Sequence, residues 1–233
     1  MNELFWLAML AVNFGFILIA YRFFGRMGLY AWVPLAAVVA NIQVIKLVEL
    51  FGITATLGNI VYASSFLVTD ILSEIYGKKE AQKAVYLGLF SLVAMTVLMN
   101  LALYFTPAAD DFAQKSLETI FGFMPRIAGA SLLAYLFSQT HDVWAYDFWR
   151  NRFPALKFLW LRNNASTMVS QLVDSTVFTL LAFWGVYPAG VLVEIFWTTY
   201  LLKWVVGAAD TPFLYLARYW FDKGKIPGAS PGK

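Results

Sequence analysis

The sequence predicts an all-α, polytopic helical membrane protein with seven transmembrane helices. Of its 233 residues, 61% are hydrophobic and only 13% are charged, whereas soluble domains are about 45–50% apolar and about 25% charged. The mean hydropathy is +0.66, and the apolar residues fall into blocks of about 20, the length that crosses a bilayer as a helix. The 9 Trp, 12 Tyr and 21 Phe suit interfacial aromatic belts. A transmembrane barrel would show short alternating segments instead.

The apolar blocks define the domain organisation. The first block follows no basic segment and is too long for a signal peptide, so we expect it to remain as an anchor. We expect the Gly-, Pro- and Ser-rich end of the chain, 222–233, to be a disordered cytoplasmic tail. The seven predicted spans are 4–24, 29–48, 53–75, 85–105, 120–137, 166–184 and 191–220.

Basic residues lie in alternate connecting segments. The segments on one side of the predicted bundle carry Arg22 and Arg26; Lys78, Lys79 and Lys83; Arg150, Arg152, Lys157 and Arg162; and Arg218, Lys223 and Lys225. The opposite segments have few basic residues. Cytoplasmic loops of membrane proteins carry the excess of Lys and Arg, so we expect the N-terminus outside and the C-terminus in the cytoplasm. The net charge of +3 thus indicates topology and not nucleic-acid binding.

Several enzyme classes lack their residues in this sequence. With no Cys and one His, the chain has no thiolate or poly-His metal site and no Cys nucleophile. His141 lies too near the cytoplasmic end to serve an intramembrane serine protease. The segment from Gly207 to Asp210 lacks the second glycine of an intramembrane aspartyl protease motif. No Gly-rich nucleotide loop is present. We expect a protein that is not an enzyme and has no cofactor.

Ionisable and polar residues at mid-membrane depth are the candidate functional residues, because such groups are costly there unless they face a cavity or a partner. Asp174 and Lys203 fall at the middle of the sixth and seventh spans, and Gln171 shares a helix face with Asp174. If the polar faces converge, they line a cavity formed by Asn41, Asp70, Arg126, Ser131, Asp174, Lys203 and Asp210. The alternatives are a purely structural Asp174–Lys203 ion pair and an Arg126 that only reaches towards the surface.

A few aromatic residues share these polar faces. Tyr62 and Phe66 precede Asp70 at four-residue steps, and Trp197 and Tyr200 precede Lys203 by one to two turns. Most rings of the chain are expected in lipid-facing belts. A flat ligand with polar edges would use the rings that face the cavity.

Four blocks in order resemble the queuosine precursor transporter family, the VUT group. They are SFLVTDILSEIYGKK at 65–79; RIAGAS at 126–131, with Gln139 and Asp142 downstream; LRNNAST at 161–167 with SQLVD at 170–174; and Tyr200 and Lys203 with DTP at 210–212. The similarity covers about residues 41–219. Four blocks in the same order are more specific than any one of them.

The resemblance implies a bacterial inner-membrane importer of 7-cyano- or 7-aminomethyl-7-deazaguanine. It also implies a six-helix core at 29–221, distantly similar to the substrate-binding components of energy-coupling-factor vitamin transporters. The helix and loop at 1–28 would then be an N-terminal addition to that core. Asp174 or Asp70 would bind the guanine-like donor edge, and Lys203, Asn41 or Gln171 the carbonyl oxygen. Tyr62, Phe66, Trp197 or Tyr200 would stack on the ring.

The sequence leaves several alternatives open. The chain could be the substrate-binding subunit of an ATP-driven importer, or a structural membrane protein whose buried charges orient helices. Its expected partners are a deazapurine, the lipid bilayer and either copies of itself or an energising subunit. Proton coupling and facilitated diffusion are both compatible with the sequence.

Overall fold

The computed structural model describes residues 1–44, 46–122, 125–185 and 188–228, and the described chain is largely helical. The long helices are α1 (Asn2–Gln43), α2 (Gly58–Ile75), α3 (Lys78–Ala102), α5 (Pro125–Arg152), α6 (Leu159–Phe183) and α7 (Ala189–Ala209). The shorter elements are strands β1 (Leu47–Leu50) and β2 (Ile53–Thr56), helices α4 (Gln114–Leu117) and α8 (Thr211–Asp222), a π-helical turn (Glu118–Gly122) and a 3-10 turn (Leu156–Phe158).

Helix α1 is a hairpin of two helical halves that reverse at Gly25. Gly25 has φ 57° and ψ −139°, a conformation that is accessible to glycine and strained for other residues. The rings of Phe16 and Trp32 are stacked with centroids 6.3 Å apart, although 16 residues of straight helix would separate them by about 24 Å. The two halves correspond to the predicted blocks 4–24 and 29–48.

The connection between α1 and α2 corrects two predicted helix boundaries. We expected helix from 29 to 48 and again from 53 onwards. Instead, β1 and β2 form an antiparallel hairpin, with Leu47 opposite Thr56, and α2 begins only at Gly58. Gly52, at φ 76°, makes the turn, and the β-branched residues that follow favour a strand. Hydropathy alone does not separate an apolar strand from a helix. The all-α prediction therefore misses a two-stranded sheet.

Two further boundaries differ from the predicted blocks. Helix α5 continues to Arg152, fifteen residues beyond the predicted end at Phe137, because its polar continuation packs inside the protein and Ser138, Gln139 and Asp142 are all fully buried. The predicted block 191–220 is divided into α7 and α8 at Asp210, where Pro212 occupies the first turn of α8. Proline is tolerated at a helix start but interrupts a helix interior.

Four described segments are long and apolar enough to cross a membrane: Asn2–Gln43, Lys78–Ala102, Leu156–Phe183 and Leu192–Asp222. Helices α2 and α5 are not among them. Helix α2 lies at the centre of the protein, in contact with α1, α3, α5, α7 and α8, and nearly all of its side chains from Gly58 to Glu74 are buried. The protein is thus a helical membrane protein with α2 enclosed at its centre.

The basic connecting segments meet at one end of the bundle. Arg22 and Arg26 lie at the reversal of α1, and their partners come from other basic segments. The contacts are Arg22 with the Lys225 carbonyl, Arg26 with Glu80, Lys78 with Asp147, Arg162 with Glu74 and Arg218 with Glu74. All four basic segments predicted to share a side are therefore neighbours.

The described part of the C-terminal tail packs against this basic end. We expected a disordered tail at 222–233, but residues 223–228 form turns and Ile226 is buried in the core. A Cβ at Gly25 would approach the Pro227 carbonyl oxygen to 2.6 Å, so the tail fits closely over the reversal of α1. The remainder of the predicted tail, 229–233, lies outside the described residues.

Candidate functional site

A small cavity lies among α1, α2, α5, α6 and α7. Its volume is about 40 Å³, enough for a few water molecules. Five of the predicted site residues line it: Asn41, Tyr62, Ser131, Asp174 and Lys203. Ala40, Val44, Gly58, Asn59, Ala134 and Phe178 complete its lining.

A buried ion pair forms the polar wall of the cavity. Lys203 Nζ donates to Asp174 Oδ2, and these side chains are only 6% and 2% exposed. The other carboxylate oxygen, Oδ1, accepts hydrogen bonds from the Tyr62 hydroxyl and from Ser138 Oγ, the latter at 3.2 Å. Each carboxylate oxygen accepts about two hydrogen bonds. Oδ1 is therefore saturated, while Oδ2 retains room for one more donor.

Aromatic rings surround the ammonium group of Lys203. Its Nζ lies 4.7 Å from the centroid of the Tyr62 ring and 5.9 Å from that of Phe178, within the range of cation–π attraction. Phe66 and Tyr135 pack edge-on against Tyr62, with centroids 6.0 and 5.9 Å away. These rings pack around Tyr62, whose ring faces the Lys203 ammonium group and whose hydroxyl donates to Asp174. A ligand in the cavity therefore meets an ammonium, a carboxylate and aromatic rings together.

Two predicted carboxylates lie outside the cavity lining. Asp70 is fully buried, and its Oδ2 accepts a hydrogen bond of 3.3 Å from Thr167 Oγ1, which also lies 3.4 Å from Asp142 Oδ1. Asp210 Oδ1 accepts from Asn163 Nδ2 at 2.5 Å. Asp70 and Asp210 thus take part in polar contacts that lie nearer to the basic end of the bundle than the cavity does.

A close approach of α6 and α7 accompanies these contacts. A Cβ at Gly207 would lie 2.8 Å from Thr167 Cγ2, so a larger residue here would require the Thr167 side chain to shift. Beyond it, Glu74 Oε1 accepts from Arg162 Nη2 at 2.8 Å and from Arg218 Nη1 at 3.0 Å. Tyr146 donates to the other oxygen of Glu74 at 3.1 Å. Ion pairs and hydrogen bonds therefore close the bundle between the cavity and the basic end.

The other predicted site residues do not line the cavity. Phe66 is buried behind Tyr62, and Gln171 is buried with both amide atoms lacking a hydrogen-bond partner among the described residues. Arg126 is exposed and donates to the carbonyl of Leu181 at 2.8 Å. Trp197 is half exposed, and Tyr200 stacks on Phe196 with centroids 6.3 Å apart.

Some residues at or beside the cavity are not predicted above, although their helical spacing contains a signal for them. Asn59 precedes Tyr62 by three residues, and Phe178 follows Asp174 by four, so each shares a face with a predicted site residue. Ser138 follows Ser131 by two helical turns and donates to Asp174. The small residues Ala40 and Gly58 carry no such signal, because their contribution is the space they leave between helices.

Comparison with known proteins identifies the family. The family model described as "Putative vitamin uptake transporter" matches residues 56–217. A "Probable queuosine precursor transporter" of Bacillus subtilis (strain 168) is 50% identical over 217 residues, which cover 93% of this chain and 95% of that protein.

More distant relatives match over a shorter part of the chain. The "Queuosine precursor transporter" of Escherichia coli (strain K12) is 26% identical over 137 residues, 59% of each protein. A "Probable queuosine precursor transporter" of Haemophilus influenzae is 28% identical, over 58% of this chain and 54% of its own. No solved structure gives a significant match. By the family match and the near full-length similarity, this chain belongs to the queuosine precursor transporter family.

Proposed function

We propose that this protein imports queuosine precursors, 7-cyano- or 7-aminomethyl-7-deazaguanine, through the cavity beside Asp174 and Lys203. The observation that carries the proposal is the buried pair of these two residues in a cavity with aromatic walls. The names of the relatives support the substrate class. Membrane-buried charges are costly and are usually retained for function.

The ion pair is complementary to one edge of a guanine-like ring. Such a ring presents a ring N–H beside a carbonyl oxygen. The second acceptor position of Asp174 Oδ2 would receive the N–H, and the two remaining N–H groups of Lys203 would donate to the carbonyl. An acceptor and a donor held side by side recognise this edge without breaking the ion pair. Asp174, and not Asp70, is then the substrate-binding carboxylate.

The aromatic and amide residues would bind the rest of the ring. The Tyr62 and Phe178 rings offer apolar faces for stacking, while Asn41 and Ser131 offer neutral hydrogen-bonding groups. A bicyclic base is larger than the cavity of about 40 Å³. Binding therefore requires that lining side chains or helices move apart, as expected for a site that opens and closes during transport.

The proposal includes seven spans with the N-terminus outside and the C-terminus in the cytoplasm. The spans are the two halves of α1 together with α2, α3, α5, α6 and α7. The clustering of the basic segments at one end supports this orientation. Because the chain has no Cys, an Asp111→Cys variant should react with an impermeant thiol reagent in intact cells and a Lys79→Cys variant should not. The reverse pattern would contradict the orientation.

Transport by the purified chain tests the function directly. Proteoliposomes that contain only this protein should take up labelled deazaguanine, whereas liposomes with the Asp174→Asn variant should not. Accumulation above the external concentration with an alkaline lumen would support proton coupling. Equilibration that ignores the pH gradient would support facilitated diffusion. Absence of flux would contradict autonomous transport and favour a substrate-binding subunit that needs an ATP-driven partner.

A cellular assay distinguishes transport from a structural role. In a bacterium that cannot synthesise the precursor, queuosine in tRNA should depend on supplied precursor and on this gene. Deletion of the gene should abolish the modification at low external concentrations. If queuosine formation continues unchanged in the deletion strain, the proposed import function is wrong.

A further inference from the structure

Three carboxyl groups are buried in the protein without a cationic partner. Asp70, Asp142 and Asp210 are each fully buried, and none of them takes part in an ion pair among the described residues. We propose that Asp70 and Asp142 share one proton and that this pair is the proton-binding site that couples import to the proton gradient. The inference rests on the proposed function, because it names the ion that moves with the precursor.

The contacts of the pair leave it short of hydrogen-bond donors. The two carboxyl groups are close enough to interact with each other. The hydroxyl of Thr167 lies 3.3 Å from Asp70 Oδ2 and 3.4 Å from Asp142 Oδ1, and its one hydrogen can be donated to only one of them at a time. Asp70 Oδ1 and Asp142 Oδ2 have no hydrogen-bond partner in the described part of the chain. A proton bound to either carboxyl group supplies a donor to the other.

The nearby hydroxyl groups do not replace the missing donors. Ser166 and Ser170 lie beside Asp142. However, Ser166 Oγ donates to the carbonyl of Asn163 at 3.2 Å, and Ser170 Oγ donates to that of Ser166 at 2.8 Å. Two ionised carboxylates in this buried place would lose their hydration and repel each other. One shared proton removes one of the two charges, as in other carboxyl pairs that cannot both ionise.

The charged groups on the surrounding helices have partners of their own. Glu74 of α2 binds Arg162 of α6 and Arg218 of α8. Lys203 of α7 binds Asp174. No lysine or arginine in the described ranges forms an ion pair with either carboxyl of the proposed site, which therefore depends on a proton to balance its charge. Other ionisable groups on these and the adjoining helices are His141, which contacts Ser170; Tyr146, which donates to Glu74; Asp210, which accepts from Asn163; and the partly exposed pairs Arg26–Glu80, Lys83–Glu80 and Lys78–Asp147.

A buried amide between the pair and the cavity also lacks partners. Gln171 is fully buried, and neither its Nε2 nor its Oε1 has a hydrogen-bond partner among the residues described. It lies one helical turn from Thr167, which contacts the pair, and one turn from Asp174, which lines the cavity. Those two residues are about 10 Å apart along the axis of α6. Buried polar groups of this kind bind ordered water, and a water at Gln171 would connect the proton site with the cavity.

The proposed cycle requires only the binding and release of a proton. An O–H bond forms on one carboxyl when the pair takes a proton from water on the outer side, and it breaks when the proton passes to water on the cytoplasmic side. Without the proton, the pair has two negative charges in a closed site of low dielectric, which is costly in a membrane. The protein therefore closes over the precursor with the pair protonated, and one proton enters with each precursor.

Proton movement by the wild-type protein tests the inference. We would use proteoliposomes with a pH-sensitive dye in the lumen, equal pH on both sides and a clamped membrane potential. Addition of a transported precursor outside should acidify the lumen by one proton for each precursor taken up. Uptake without acidification, including uptake that requires Na⁺ instead, would overturn the inference and leave the import function intact. Uptake of neither precursor would overturn the proposed function and this inference with it.

A neutral replacement within the pair locates the proton. In Asp142→Asn, the remaining Asp70 has the same single charge as the protonated pair. This variant should therefore resist SDS as well as the wild type and should still exchange internal for external precursor. It should lose both the acidification and the accumulation of precursor against a concentration difference. The matched variant Asp147→Asn, at a partly exposed position of the same helix, should keep both.

The results of these variants decide the site. Asp70→Asn repeats the test on the other carboxyl, and exchange without acidification in either single variant supports the proposal. Acidification that persists in Asp142→Asn would place the proton elsewhere and overturn the assignment. Loss of exchange in both Asp142→Asn and Asp70→Asn, with or without loss of stability, would overturn the shared proton, because the proposal requires that one neutral member be tolerated.

Discussion

The pairing of Asp174 with Lys203 can be tested by a double-mutant cycle of Asp174→Asn and Lys203→Met. Both side chains are at least 94% buried, and removal of one partner from a buried pair costs about 3–5 kcal/mol because the remaining charge is left uncompensated. Replacing both partners by neutral residues is often neutral or stabilising by about 1–4 kcal/mol. The single variants should therefore be much less stable than the double variant.

The structure indicates which single variant loses more stability. In Lys203→Met, Asp174 keeps the hydrogen bonds from Tyr62 and Ser138, which still satisfy one of its oxygens. In Asp174→Asn, Lys203 keeps only its contacts with the Tyr62 and Phe178 rings. Such a cation–π contact contributes about 2 kcal/mol. We expect Asp174→Asn to be the more destabilising of the two. Denaturation of the purified protein in mixed micelles by SDS gives these differences in free energy of unfolding.

Transport in the same variants separates a binding role from a structural one. All three variants should fail to take up deazaguanine, including the double variant that recovers stability, because it lacks the donor and acceptor that bind the ring. Lys83→Met removes an exposed lysine that pairs with Glu80 at 2.6 Å, and this control should change stability by less than about 1 kcal/mol. Normal uptake by the double variant would refute the site assignment and leave the pair a purely structural feature.

Two predictions concern stability away from the cavity. Glu74→Gln should lower the free energy of unfolding by about 3–5 kcal/mol, because the fully buried guanidinium of Arg162 loses its anionic partner. In the same unfolding titrations, the exposed control Asp222→Asn should lower it by less than about 1 kcal/mol. Gly25→Ala should cost about 1–3 kcal/mol from backbone strain at φ 57°, whereas Gly15→Ala, where a Cβ would meet nothing within 4 Å, should stabilise by up to about 1 kcal/mol. Thermal melts with Gly25→Ala as stable as wild type would contradict the reversal of α1 at this residue.

The agreement between sequence and structure is best for the ion pair and the basic segments. Asp174 and Lys203 can be identified from the sequence because a charge deep in an apolar block is costly, whichever helices pack around it. The basic segments could be assigned to one side because the sequence gives both the charge of each loop and the order of the spans, and successive loops lie on alternate sides of the membrane. The contacts of Arg26 with Glu80 and of Arg162 with Glu74 agree with that assignment.

Agreement is poorer where the outcome depends on helix rotation. Asp70 and Asp174 were equivalent candidates, yet only Asp174 lines the cavity. Arg126 and Trp197 were expected to share it, but both are exposed. A sequence periodicity identifies which residues share one helix face, but the direction of that face is fixed by the packing of other helices against it.

The sequence by itself determined the membrane class, the family resemblance, the loop asymmetry and the residues whose burial demands a partner. These follow from composition, local hydropathy and the desolvation cost of single groups, which need no knowledge of neighbours. Only the tertiary structure decided that α1 reverses at Gly25, that a β-hairpin precedes α2, and that Tyr62, Asp174 and Lys203 meet in one cavity. Those features depend on contacts between residues far apart in the chain, because small differences in packing energy set the rotation and separation of each helix.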